Sequence, residues 1–342
     1  MSEIRFDLLR NQYILIAPER LHRPDFYQCK NKPDTNNTTC PFCYGNEYLT
    51  PPEIFALRDN EANTAGWQTR VVPNLFKAVQ IELEDRSRRK GLFESIPGVG
   101  AHEVLIDSPE HKNDLDDLEE YKIENWLKSI IRRIVDLRND MRLVHLSVFK
   151  NHGSNSGATQ EHPHTQLLAL PIMPKNELDF LKQNLEYYRK HGRGKLQDIV
   201  ENERFFKDNR VIGEIGDFVA FCPFASSFPF EVMIAPTKNI GNLDECDHDD
   251  VKNLSLIIKH VFFKLKKQLG EFDYNLYFKL SPLNSNFQNE EYLPYIHKSF
   301  RFSLSIIPRI YKLGGFELST NMAINPMSPE ECANLLNSEE IV

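Results

Sequence analysis

The stretch Asn151-His152-Gly153-Ser154-Asn155-Ser156-Gly157-Ala158-Thr159 leads, through Gln160-Glu161, into His162-Pro163-His164-Thr165-Gln166. Two histidines and a glutamine fall at every second position, and a loop of small residues delivers them. An apolar run, Leu167-Leu168-Ala169-Leu170, follows directly, the pattern of a loop giving way to a buried strand. The His-Pro-His step holds two imidazoles close together yet leaves them able to point at different partners. Gln166 adds hydrogen-bond donors that do not titrate. This set suits chemistry at phosphorus, in which a neutral imidazole attacks and fixed N–H donors hold the phosphoryl oxygens. Histidine pairs beside a strand also occur as plain core or surface residues. The glycine loop and the glutamine favour the chemical reading.

The rest of the chain sets bounds on that chemistry. At 342 residues it has room for two ordinary domains or one large one. With 41% apolar and 26% charged residues it has an ordinary globular composition, and a formal charge of −8 argues against a general nucleic-acid binder. No apolar run approaches the roughly 20 residues of a membrane helix. The start, Met1-Ser2-Glu3-Ile4-Arg5-Phe6, has no apolar signal core, so a cytoplasmic protein is expected. Six cysteines are too sparse for a disulfide scaffold.

In chain order, residues 6–18 suggest a strand or two, ending in Pro18-Glu19-Arg20-Leu21-His22-Arg23-Pro24. Arg20 and Arg23 lie close enough to share an anion in a loop stiffened by proline. Cys40-Pro41-Phe42-Cys43 is a C-x-x-C knuckle with no apolar strand before it, which favours zinc over redox exchange. Its other ligands must come from elsewhere; His111 and His162 are the candidates. Residues 71–76 and 102–107 read as strands, 121–140 as a helix, 144–150 as a strand and 177–190 as a second helix. The polar stretch 191–201 reads as a linker. Then the order repeats, with a strand at 230–236, a helix carrying Val251, Leu254, Ile258, Val261 and Leu265, and strands at 275–281 and 300–308. Such a repeat implies internal duplication. The second copy has Phe302-Ser303-Leu304-Ser305 where the first has the histidines, so it keeps the scaffold without the chemistry.

These residues resemble the galactose-1-phosphate uridylyltransferase family of the histidine-triad superfamily. The likeness rests on the 151–158 loop, His162-Pro163-His164-x-Gln166, Cys40-x-x-Cys43, Arg20 and Arg23, and Gly315-Phe316-Glu317-Leu318. It implies an α+β fold of two related halves, each an antiparallel sheet with packed helices. Residues 1–190 would be the catalytic half with the zinc site, and 202–342 a degenerate half carrying the sugar-phosphate loop. It further implies a ping-pong reaction in which His164 takes UMP from UDP-glucose, assisted by Gln166, and passes it to galactose 1-phosphate. Arg20, Arg23, Asn151 and Thr159 would serve the phosphates, Gly157 would belong to the same substrate-binding set, Asn74 would serve the base or ribose, and Glu317 the hexose from the partner subunit of a homodimer. Cys40, Cys43, His111 and His162 match the structural zinc site. No membrane or nucleic-acid partner is implied.

Some positions depart from the uridylyltransferase pattern. Leu75 stands where an aspartate usually follows the asparagine, Lys279, Ser303 and Ser305 fall where a second metal site has its histidines, and Asn325-Pro326 lies in the tail. These departures resemble the related ADP-glucose phosphorylases, which pass AMP to phosphate, and make that activity the first alternative. A nucleotide-sugar-binding module without turnover is the alternative of another class.

Overall fold

Alternating side chains build one long sheet, and helical periodicity builds the layers on its faces. The computed structural model describes residues 2–22, 39–84, 86–111, 114–115, 117–206, 210–287 and 290–338. It begins with the hairpin β1 (Glu3–Asp7) and β2 (Gln12–Ile16). The first half then contributes β3 (Phe55–Arg58), β4 (Trp67–Pro73), a small hairpin of β5 (Arg88–Lys90) and β6 (Phe93–Ser95), and β7 (Ala101–Ile106). Helix α1 (Glu120–Leu137), β8 (His145–His152) and β9 (His164–Leu170) complete it. After α2 (Lys175–His191) and α3 (Lys195–Phe205) come β10 (Val211–Ile215), β11 (Phe218–Phe221) and β12 (Val232–Pro236). Then follow α4 (His248–Leu269), β13 (Tyr274–Lys279), the short α5 (Ile296–Ser299) and β14 (Ser303–Pro308). Helix α6 (Gly315–Thr320), β15 (Ile324–Asn325) beside β2, and α7 (Pro329–Asn337) end the described chain.

Ten strands form one antiparallel sheet, β10-β11-β12-β14-β13-β8-β9-β7-β4-β3. From the centre outward the order is the same on both sides: β8, β9, β7, β4, β3 matches β13, β14, β12, β11, β10. The protein is therefore an α+β fold of two related halves, joined where β8 pairs with β13 and Asn151 lies opposite Asn275.

Helices α1 and α4 pack together over one face, burying Trp126, Ile130 and Ile134 with Leu254, Ile258 and Val261 above Leu167, Leu276 and Leu304. Phe180, Leu181, Leu196 and Val200 of α2 and α3 cover Val219, Phe221 and Met233 on the other face of the second half. The two-residue period is visible on β12, where Val232 and Ile234 join the first cluster and Met233 and Ala235 the second. No described helix is long and apolar enough to cross a membrane.

One expectation is corrected. The stretch 191–201, read as a linker, is largely helical, because α3 occupies Lys195–Phe205. Its polar composition hides Leu196, Ile199 and Val200, which meet the second apolar cluster. Gly194, just before it, packs so closely that a Cβ would sit 3.1 Å from the Lys298 carbonyl oxygen.

Candidate active site

The pleat sorts the motif into two sets. Thr165, Leu167 and Ala169 point toward α1: Leu167 and Ala169 enter the apolar cluster there, and the Trp126 indole N–H donates to Thr165 Oγ1 at 2.8 Å. His164 and Gln166 therefore project from the opposite face. On β7, Ile106, Val104 and His102 lie opposite His164, Gln166 and Leu168. On β8, Phe149 lies opposite Gln166, so Asn151 two residues on takes the same face. Asn74 follows β4 and donates its backbone N–H to His102 O at 2.8 Å. His164, Gln166, Asn151 and Asn74 are thus brought to one side of the sheet.

His164 is buried, with Nδ1 2.9 Å from the carbonyl oxygen of His162. A carbonyl only accepts, so Nδ1 carries the proton and Nε2 keeps its lone pair. Burial lowers the His164 pKa below its ordinary value, outweighing the hydrogen bond to His162 that opposes it. Burial thus favours the neutral imidazole, whose Nε2 lone pair is chemically able to act as a nucleophile.

Gln166 has a partner that sequence reading missed. His102 Nε2 lies 3.0 Å from Gln166 Oε1, and the Ala78 N–H donates to His102 Nδ1 at 3.0 Å. In the sequence His102 reads only as the first residue of a strand. Nothing local marks it, because the contact is diagonal across two strands that are distant in the chain.

Behind the motif, on the helix face, lies a buried charge network. Lys150 Nζ donates to Asp107 at 2.7 Å and lies 2.9 Å from Asp114. Asp107 accepts the Thr165 hydroxyl at 2.9 Å, while Asp114 accepts the Tyr274 hydroxyl at 2.7 Å and contacts His152 Nδ1 at 2.5 Å. Burial works against the charge on Asp114, but Lys150 and His152 overcome it and hold the carboxyl well below the usual carboxylate range. Burial likewise works against the charges on Lys150 and His152, and their carboxylate partners raise both pKa values.

The approach loop is tied to the second half. Asn275 Nδ2 donates to Asn151 Oδ1 at 2.7 Å and to Ser156 O at 3.0 Å. Asp273 accepts both the backbone and side-chain N–H of Asn155 at 2.7 Å. Gly153, at φ +77°, is required here, since a Cβ would fall 1.8 Å from Asp273 Oδ1.

Cys40, Cys43, His111 and His162 converge, with their ligand atoms all within 4.8 Å of one another. His162 Nδ1 is 3.7 Å and 3.6 Å from the two sulfurs, and His111 Nδ1 is 3.3 Å from that of Cys43. A tetrahedral site with ordinary Zn–S and Zn–N lengths has S···N edges of about 3.6 Å, so the cluster fits that ion. The Nε2–H of His162 donates to Ser108 O at 2.8 Å, which leaves Nδ1 free as a ligand. Burial and the adjacent Cys40 push Cys43 up to about 11; a bound cation would supply the charge that lets both thiols ionise. Phe42, between the cysteines, packs its ring centre 5.5 Å from that of His164, linking the knuckle to that imidazole.

Four of the remaining predicted residues lie among those described. Arg20 lies on the 3-10 turn Pro18–His22, with Nη2 3.4 Å from the Tyr311 hydroxyl. Arg23 lies outside the described residues. Gly157 and Thr159 are on the exposed part of the approach loop. Glu317 caps its own helix α6, accepting the Gly314 N–H at 2.8 Å. Lys279 pairs with Glu177 at 2.7 Å, and Ser303 lies opposite Lys279 on the neighbouring strand.

Comparison with known proteins gives this arrangement its class. Residues 1–174 match the family model described as galactose-1-phosphate uridyl transferase, N-terminal domain. Fold and match together define a nucleotidyltransferase. The chain belongs to the galactose-1-phosphate uridyl transferase family. It is 32% identical to an ADP-glucose phosphorylase of Arabidopsis thaliana, over 98% of this chain and 92% of the relative. It is 25% identical to a galactose-1-phosphate uridylyltransferase of Thermotoga maritima, over 100% and 99% of the two chains. The crystal structure of the Arabidopsis thaliana ADP-glucose phosphorylase with bound ADP-glucose superimposes with a TM-score of 0.83 at 29% identity, covering both chains fully.

Proposed function

We propose that the protein transfers a nucleoside monophosphate from a nucleotide sugar to a phosphate acceptor through a nucleotidyl-histidine formed on His164. The observation that carries this is the His164 tautomer, whose Nδ1–H is held by the His162 carbonyl and whose Nε2 keeps its lone pair. Nε2 attacks the α-phosphorus, forming a P–N bond as the α–β bridging P–O bond breaks and sugar 1-phosphate departs. The Nδ1–H···O=C hydrogen bond stabilises the positive charge that develops on the ring. Gln166 directs its amide N–H groups at the phosphoryl oxygens. Arg20, Arg23, Asn151, Gly157 and Thr159 serve the phosphates, and Asn74 the ribose or base. In the second half-reaction an acceptor oxygen attacks phosphorus, the P–N bond breaks and His164 is regenerated.

The nucleotide in this reading is adenylyl, the donor ADP-glucose and the acceptor inorganic phosphate. Support comes from the similarity to the Arabidopsis thaliana ADP-glucose phosphorylase and from the exposed Leu75, which follows Asn74 where the uridylyltransferase pattern has an aspartate. A second reading, UMP transfer from UDP-glucose to galactose 1-phosphate, is favoured by the family match and by the full-length similarity to the Thermotoga maritima enzyme. In both readings Cys40, Cys43, His111 and His162 hold a structural zinc that braces the loop aiming His164. Both also include a cytoplasmic homodimer in which Glu317 reaches the partner's hexose.

Intact mass after brief exposure to ADP-glucose or UDP-glucose, without acceptor, separates the readings. An AMP-sized adduct absent from His164→Ala supports the first, and a UMP-sized adduct moves the assignment to the second. No adduct from either donor removes covalent catalysis.

A further inference from the structure

We propose that His102 is a positioning residue that sets the orientation of the Gln166 amide. The inference rests on the phosphoryl-binding role given to Gln166 above, and it follows from counting donors and acceptors around one ring. The Ala78 backbone N–H can only donate, and it meets His102 Nδ1 at 3.0 Å. Nδ1 is therefore unprotonated, and in the neutral ring the proton resides on Nε2. Two amides lie within reach of that proton. The Asn74 amide nitrogen is 3.1 Å from Nε2, but the Asn74 oxygen is already taken by the Phe76 N–H at 2.9 Å. The acceptor must be Gln166 Oε1, 3.0 Å away.

This assignment decides which end of Gln166 faces the substrate. With Oε1 held by His102, the amide flip that would put oxygen toward the phosphoryl group breaks a hydrogen bond and leaves His102 Nε2–H facing an NH2 group. The NH2 end is the one left for phosphoryl oxygens, and no acceptor among the described residues takes it. An oxygen there would repel the anion that an N–H attracts, so amide orientation governs whether Gln166 helps or opposes the reaction. The same ring touches Asn74, just past the end of β4, the strand paired with β7. It thus mechanically joins the residue assigned to the nucleoside to the residue assigned to the phosphoryl group.

The test is a double-mutant cycle on single-turnover formation of the nucleotidyl adduct, using His102→Ala, Gln166→Ala and the double variant of the full chain. Loss of the orienting bond should slow adduct formation by roughly 10- to 100-fold, with the nucleotide-sugar concentration for half-maximal rate changed far less. If His102 acts through Gln166, the double variant is no slower than Gln166→Ala alone. His102→Gln, which can keep a donor toward Gln166, should recover part of the rate and guards against a folding defect in the alanine variant. Multiplicative losses in the double variant, or wild-type rates in His102→Ala, would overturn the proposal. Nitrogen NMR of the imidazole supplies a readout independent of turnover. The proposal requires Nε2 protonated, Nδ1 unprotonated, and an Nε2 resonance that moves in Gln166→Ala. The opposite tautomer defeats it even if the enzyme forms adducts, whereas the predicted tautomer without any adduct means that the transfer reading has failed and the geometry has not.

Discussion

The two halves share one strand order and differ in what their equivalent strands present. β9 carries His164 and Gln166 on the face away from α1, while β14 carries Ser303 and Ser305 across from Lys279 and Tyr277. Around Lys279 the second half has closed its face with the Glu177 ion pair and the Phe180 ring, 4.7 Å from the ammonium. Yet the second half is not idle scaffold. Asn275 and Asp273 hold the approach loop, and Tyr274 completes the hydrogen bonding of Asp114. In the proposed reading the chemistry sits in one copy, while the other supplies contacts that hold the approach loop.

The sharpest way to break this contrast is to remove the polar groups from the two faces in turn. His164→Ala should lower nucleotide exchange by on the order of 10⁴-fold or more, the scale seen when a nucleophile is lost. Ser305→Ala should leave exchange close to wild type, and both variants should melt as the parent does. Comparable losses from the two substitutions would mean that the second face takes part in the reaction.

The knuckle offers the next largest effect, now on stability. Cys43→Ser removes one ligand from a cluster of four and should release any stoichiometric zinc measured by elemental analysis. It should destabilise the first half by more than the roughly 0.5–3 kcal/mol of an ordinary point mutation, since loss of a structural metal belongs to the short list of larger effects. Among the described residues the second half has no such cluster, so a metal requirement for stability would trace to the knuckle of the first half. Metal-free protein with unchanged stability would reduce the four residues to a coincidence of proximity.

How much of this was legible in the sequence depends on how local each signal is. The motif at 162–166 could be read directly, because a two-residue period places His164 and Gln166 on one face whatever surrounds them. The zinc candidates were nearly as plain, since C-x-x-C carries its own chemistry and the family resemblance supplied His111 and His162 to complete it. The duplicated order of strands and helices was visible too, but β3, β10 and β11 were not, being short strands with little alternation to mark them. His102 could not be found, because its importance comes from a diagonal across β7 and β9 and from the Ala78 N–H. Lys150, Asp107 and Asp114 were equally hidden, since nothing in a sequence says that three separated charges are buried against each other. Gly153 looked like ordinary loop glycine, and only Asp273, from the other half, shows why a side chain cannot be accepted there.

The smallest effect tests the seam between the halves. His152 lies against Asp114, with Lys150 and Asp273 the other charges acting on it, and its ring stacks on Tyr274 at 5.1 Å with a 9° interplanar angle. Burial lowers the His152 pKa, but Asp114 more than reverses this, so the folded value is above the ordinary 6.5. A raised folded pKa means that protonated His152 stabilises the fold fully below about pH 6.5, and that this contribution is lost as pH rises through the higher folded value. Melting temperatures of the wild type should therefore fall across the range just above pH 6.5 relative to His152→Phe, which retains a ring against Tyr274 but cannot titrate. Parallel pH profiles would show that the His152–Asp114 pair does not couple protonation to folding. The seam would then rest on the β8–β13 pairing, the stacked rings and the hydrogen bonds made by Asn275, Asp273 and Tyr274.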